Sequence, residues 1–144
     1  MVLRSAHVSD AAAIARLSGQ LGYSSSPEEI ELRLRDVLDR PGGVAVFVAE
    51  DEGEVAGWLH VLGNHTIETA PFALILGLVV DETRRSRGIG ASLVAAAAEW
   101  AVGEGYSLLR VRSNVVRERA HAFYERLGFE RAKSQVVFVK RLDG

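Results

Sequence analysis

A single-domain α/β (α+β) fold is the architecture this sequence predicts, and three observations predict it. Two amphipathic helices open the chain, β-branched apolar runs fill its middle, and a long apolar strand then leads into an Ala-rich helix and a further strand. A chain of 144 residues suits one domain, and domains of that size bury roughly 70% of their unfolded surface.

The elements follow in order. Val2 to Ala6 has strand composition, and Ser9 is a candidate N-cap for a helix whose Ile14, Leu17 and Leu21 share one face. Gly22 to Ser25 interrupts that helix. Ser26-Pro27-Glu28-Glu29 begins the next, with a capping box between Ser26 and Glu29 and proline at the first helical position. Ile30, Leu34, Val37 and Leu38 form its apolar stripe, and Pro41-Gly42-Gly43 ends it. Val44 to Ala49 and Val55 to Leu62 read as a hairpin closed at Asp51-Glu52-Gly53. A polar loop, Gly63 to Pro71, precedes Phe72 to Val80, an apolar run expected of a strand covered on both faces.

Ile89, Leu93, Ala96, Ala97 and Trp100 then recur at helical spacing until Gly103 and Gly105. With Leu108 to Val111 as the next strand, Phe72 to Val111 predicts a right-handed parallel crossover. A last helix, about Val116 to Leu127, should stop at Gly128 with Phe129 folding back on it, and Val136 to Val139 should close as a strand.

Composition narrows the function. A formal net charge of −2 argues against nucleic acid or an anionic membrane as partner, since both require basic surface. There is no cysteine, which excludes disulfides, thiolate metal ligands and a Cys nucleophile; no metal site is expected. Without a signal-like N-terminus or a run approaching the ~20 apolar residues of a membrane span, a cytoplasmic location is expected.

One stretch carries chemistry. Leu78, Val79 and Val80 end a buried strand; Arg84, Arg85, Ser86 and Arg87 make a basic turn; Gly88, Ile89, Gly90, Ala91 and Ser92 open a helix. The first amides of a helix lack internal partners and sit at the positive end of its dipole. Gly88 and Gly90 let a phosphate approach the backbone, and the arginines add charge. The bland alternative is a solvated turn before an ordinary helix start. A P-loop would need Lys after Gly, and a dinucleotide fold a third glycine where Leu93 stands, so NTP and NAD are disfavoured.

Arg85-x-x-Gly88-x-Gly90, between an apolar strand and a helix, resembles the pyrophosphate loop of the GNAT superfamily of acyl-CoA-dependent N-acyltransferases. Downstream, Ala120-His121-Ala122-Phe123-Tyr124-Glu125-Arg126-Leu127-Gly128-Phe129 is similar to a second element of that family, and the resemblance extends over essentially the whole chain. It implies a mixed, mostly antiparallel sheet with one splayed parallel strand pair and flanking helices. It also implies acetyl-CoA (coenzyme A) as cosubstrate: pantetheine along the backbones of Leu78 to Val80, pyrophosphate on the amides from Arg85 to Gly90, and Ala91 and Ser92 close by.

By the same resemblance Tyr124 donates a proton to the departing thiolate, although on residues alone an aromatic on a helix reads as core. The family often has Asn where Arg117 stands; Asn114 either replaces its contact with pantetheine or caps the last helix. The implied activity is acetyl transfer to a primary amine of a small molecule, with Val79 or Val80 N–H facing the oxyanion. The alternative is a non-catalytic acyl-CoA sensor or partner-binding domain on the same fold. Tyr23, Trp58, His65 and Glu68 are candidates for the substrate walls, Tyr23 and Trp58 being equally readable as core or interface. His65, Glu68, His60 or a water chain would accept the amine proton, and a homodimer fits the sheet faces of such folds.

Overall fold

The computed structural model describes residues 1–113 and 117–143, which form two compact units, residues 1–112 and 113–144. In the first, one sheet runs in chain order: β1 (Val2–Ser5), β2 (Val44–Asp51), β3 (Glu54–Asn64), β4 (Phe72–Val80) and β5 (Leu109–Val111). Neighbours are antiparallel except β4 and β5, which are parallel. The hairpin turn works because Glu52 and Gly53 both adopt positive φ, 54° and 79°, the pair of left-handed residues that a tight two-residue turn demands.

The expected pair of opening helices is α1 (Ala11–Gly19) and α2 (Pro27–Leu38). Ser26 caps α2: its hydroxyl accepts from Glu29 N–H at 3.1 Å, and Glu29 Oε1 accepts from Ser26 N–H at 2.9 Å. Ser9 does not cap α1. It lies inside a short 3-10 helix, Val8–Asp10, and Asp10 carries the polar work instead. The Asp10 carboxylate accepts His7 N–H and two bonds at 2.9 Å from the Arg4 guanidinium, which holds it below the usual carboxylate range despite burial.

The two faces of the sheet are covered differently. α3 (Ile89–Gly103), the crossover between β4 and β5, puts Ile89, Leu93 and Ala97 on the face that presents Leu59 and Val61. Ala56 and Gly57 make that approach close: a Cβ on Gly57 would stand 3.1 Å from Leu93 and from the Val79 carbonyl. On the opposite face, α1 and α2 place Ile14, Ile30, Leu34 and Val37 over Val46, Val48 and Trp58.

The second unit holds α4 (Glu118–Arg126). Gly128 adopts φ 94° beyond its end, and Phe129 N–H reaches back to the Tyr124 carbonyl at 3.1 Å, the expected glycine stop. The strand expected at Val136 to Val139 does not form: these residues are irregular, and Phe138 is 91% exposed. An alternating or β-branched run becomes a strand only when another strand accepts its hydrogen bonds, and none among the described residues does.

Candidate functional site

β4 is the organising element. Its pairing with β5 covers only Ala73, Leu74 and Ile75. The register against β3 then slips: Ile75 pairs with Val61 but Gly77 with His60, so Leu76 is an extra, bulged residue, and it is exposed. Beyond the bulge no described strand lies along the outer edge of β4. A strand expected to be covered on both faces thus has a second half with an open edge. Asp81 N–H bonds Ala56 O at 2.8 Å toward β3. The two-residue alternation of an antiparallel ladder therefore turns Val79 toward β3 as well, and leaves the amides and carbonyls of Leu78 and Val80 facing the open edge. Of the two oxyanion donors read from sequence, Val80 has the suitable direction and Val79 does not.

The open edge runs straight into the basic turn. Asp81 caps a short 3-10 helix (Glu82–Arg84), accepting from Thr83 N–H at 3.1 Å and Thr83 Oγ1 at 3.0 Å. Arg85 is extended, Ser86 has φ 69° and Gly88 φ 78°, after which α3 begins at Ile89. Alternating left-handed residues fold successive N–H groups into a concavity that suits an anion. Among the described residues none of the amides from Arg85 to Ala91 bonds a backbone carbonyl; Ser92 N–H, to Gly88 O at 3.0 Å, is the first that does. A non-glycine residue in the left-handed region costs about 1–3 kcal/mol, and such strain gathers at ligand sites. Ser86 is that residue here.

The three arginines separate. Arg84 has a side chain only 14% exposed. Its guanidinium donates to the Asp51 carbonyl and to Glu54 Oε2 at 3.0 Å, fastening the turn to the β2–β3 hairpin. Arg87 reaches Asp51 Oδ2 at 3.3 Å. Arg85 is exposed and has no ion-pair partner among the described residues. The turn is also tied to α1: the side-chain carbonyl of Gln20, just past its end, accepts Glu82 N–H at 2.9 Å, while Arg16 lies 3.6 Å from Asp81.

On the α1/α2 face the same stretch of sheet borders a pocket of about 190 Å³ lined by Ile14, Ile30, Leu34, Val37, Val46 and Arg33, with Trp58 and His60 on β3. Trp58 pairs with Val79 and His60 with Gly77. The far edge of the Trp58 ring sits against Gly77, where a Cβ would come within 2.7 Å of it. Trp58 Nε1 and His60 Nε2 are buried and find no hydrogen-bond partner among the described residues. Each such orphan costs about 1–3 kcal/mol. Burial pushes the His60 imidazole below its ordinary value, keeping it neutral near pH 7.

Three other sequence candidates in this unit do not line the pocket. His65 and Glu68 lie in the exposed loop before β4, at the end of that strand away from the basic turn. His65 Nε2 meets Tyr106 Oη at 2.8 Å, and that hydroxyl sits against Gly63. Tyr23, after α1, is exposed. Asn114 lies outside the described residues. In the second unit Tyr124 packs edge-on against Phe123 and Phe129, centroids 5.1 and 5.6 Å away, and burial pushes its phenol up.

Sequence and fold both relate this chain to known proteins. Residues 12–129 match the Acetyltransferase (GNAT) family. The chain belongs to the GNAT acetyltransferase family. It is 30% identical over 135 residues to YhfO, an uncharacterized N-acetyltransferase of Bacillus subtilis (strain 168), an alignment covering 90% of each chain. Its fold is similar to the aminoglycoside 6'-N-acetyltransferase AAC(6')-IG of Acinetobacter haemolyticus, with a TM-score of 0.84, 20% identity, and 99% of this chain and 100% of that one covered. It is likewise similar to AAC(6')-Iy in complex with CoA, with a TM-score of 0.85, 19% identity, and 97% and 94% covered.

Two features of this GNAT chain escaped the sequence reading. Gly77 was legible in principle, since a lone glycine inside an apolar strand signals a bulge or a close approach; it marks both here. The tie from Gln20 to Glu82 had no signal, because nothing in sequence brings residues so far apart together.

Proposed function

We propose that this chain transfers the acetyl group of acetyl-CoA to the primary amine of a small molecule by direct attack. The observation that carries the reading is the continuity of the β4 edge, from Leu78 and Val80, with the amide concavity from Arg85 to Ala91. Pantetheine would bond the edge as an added strand, its amides matching main-chain groups without calling on any side chain. The pyrophosphate would sit on the loop amides at the positive end of α3, with Arg85 free to meet a further phosphate oxygen.

In the reaction the neutral amine nitrogen attacks the thioester carbon, and Val80 N–H faces the oxyanion that forms. The C–S bond then breaks, the thiolate takes a proton and the new amide nitrogen loses one. Tyr124 is the proposed donor to the thiolate. The phenol keeps its proton at neutral pH, as a donor must, while burial raises its pKa and makes it a weaker acid. Cysteine-free composition supports a cytoplasmic setting.

Acetyl-CoA at 100 times its Kd should stabilise the chain by about 2.7 kcal/mol, and a panel of amines should release thiol. Tyr124→Phe should slow turnover at least tenfold with acetyl-CoA affinity unchanged. Stabilisation without turnover on any amine would favour a non-catalytic acyl-CoA sensor.

A further inference from the structure

The turn that carries the amide concavity has little of its own to hold it. Its 3-10 helix is three residues long, Glu82–Arg84, and its internal backbone bond runs from Arg84 N–H to Asp81 O at 2.9 Å. So short a helix is marginal by itself. Beyond it Ser86 sits at φ 69°, a conformation that a non-glycine residue keeps only when its surroundings enforce it. The enforcement has to come from elsewhere in the fold.

It comes from two sides. On the hairpin side the Arg84 guanidinium meets the Asp51 carbonyl and Glu54. On the other side α1 supplies Gln20, whose one side-chain amide makes two bonds. Its Oε1 accepts Glu82 N–H at 2.9 Å, and its Nε2 donates to Asp81 Oδ1 at 3.4 Å. Glu82 N–H is the first amide of the short helix and can have no partner inside it. Asp81 Oδ1 is the oxygen that also accepts from Thr83 N–H and Thr83 Oγ1. Gln20 therefore completes the cap of this turn. A carboxylate in its place could not donate to Asp81, and an ammonium could not accept from Glu82; a side-chain amide does both.

Gln20 is itself well fixed. It stands one residue past α1, its own N–H bonds Leu17 O at 3.1 Å, and Leu17 is fully buried. Arg16, one turn earlier, lies 3.6 Å from Asp81 and donates to Val55 O at 3.1 Å, but its side chain is half exposed. An exposed ion pair at that distance contributes little. The Gln20 bonds reach the backbone at the very start of the turn. A rotation there would misdirect every amide that follows, whereas donors held in place beforehand bind an anion without first being ordered.

We propose that Gln20 is a positioning residue for cosubstrate binding. From the end of α1, and through Glu82 and Asp81, it holds the turn ahead of α3 in its phosphate-accepting shape. The inference rests on the acetyl-transfer reading above.

The test compares the full wild-type chain with Gln20→Met, which keeps the length of the side chain and removes both polar groups. In the free protein, hydrogen exchange should show the Glu82 amide protected in the wild type and unprotected in the variant. Titrations followed by amide resonances should then separate two probes, acetyl-CoA and S-acetylpantetheine, which has the thioester arm and no phosphate. The variant should raise the Kd for acetyl-CoA about tenfold and leave that for S-acetylpantetheine within about twofold. A merely structural role would lower the melting temperature and weaken both probes alike, which would overturn the proposal. So would an unchanged Kd for acetyl-CoA, or a Glu82 amide that exchanges as fast in the wild type as in the variant. Wild-type protein that binds no acetyl-CoA would sink the acetyl-transfer reading and this inference with it. Acetyl-CoA bound equally well by the two proteins would sink this inference alone.

Discussion

The α3 face and the α1/α2 face of the same sheet are finished to different standards. On the α3 face Leu59, Val61, Leu93 and Ala97 are fully buried, and a methyl group on Gly57 would be a tight fit, 3.1 Å from Leu93 and the Val79 carbonyl. On the α1/α2 face an open pocket remains, bordered by two buried nitrogens without partners among the described residues. A face that only has to hold the molecule together reaches the density of an organic solid. A face that keeps free volume and unsatisfied polar atoms contributes less to the stability of the fold.

Truncation should show the contrast most strongly. Leu93→Ala should lose about 2–5 kcal/mol in urea unfolding, since it opens a cavity in a closed layer. Leu34→Ala, beside a pocket that already exists, should fall at the low end of that range or below it. Equal losses would break the comparison.

Adding a methyl group sharpens it. Gly57→Ala meets the Val79 carbonyl and two buried side chains, and should cost about 1–3 kcal/mol by overpacking. Gly77→Ala meets only the Trp58 ring, which has the pocket to move into. Its stability cost should be the smaller, seen in thermal melts, and its mark should appear in the Trp58 indole resonance instead.

The basic turn repeats the contrast on a smaller scale. Arg85→Ala should weaken acetyl-CoA binding about tenfold, ~1.4 kcal/mol, with the melting temperature unchanged. Arg84→Ala should lower the melting temperature, because Glu54 loses its cation and Asp51 keeps only Arg87.

The smallest effect is in pH. His60 binds its proton less readily folded than unfolded, so its contribution is present above the unfolded value near pH ~6.5 and is lost as the pH falls below it. One such group changes stability by no more than ~1.4 kcal/mol per pH unit. His60→Gln should flatten the decline between about pH 6.5 and 5, and an unaltered slope would show that His60 is not the group responsible.

Much of this was legible beforehand wherever the signal was local. Ser26, Pro27 and Glu29 announced α2, Glu52-Gly53 the hairpin, and Gly128 with Phe129 the end of α4, because caps and turns are settled by residues within a few positions of one another. Gly88 and Gly90 announced the turn that opens α3 for the same reason. Local signals failed where a partner was required. Ser9 has cap composition, yet Arg4, itself paired with Glu50, draws Asp10 into an ion-pair network; Val136 to Val139 has strand composition, and no strand among the described residues accepts it.

The chain's own order of residues determined most of the elements, the family and the glycine-bearing turn ahead of α3, since each rests on short-range geometry. Only the tertiary structure decided that Val80 rather than Val79 faces the open edge, that Arg84 is structural and Arg85 free, and that His60 borders the pocket while His65 bonds Tyr106. Those outcomes turn on one bulged residue, Leu76, and on which face each side chain meets. In a sheet a shift of a single residue reverses every direction downstream of it, and no local pattern records where that shift occurs.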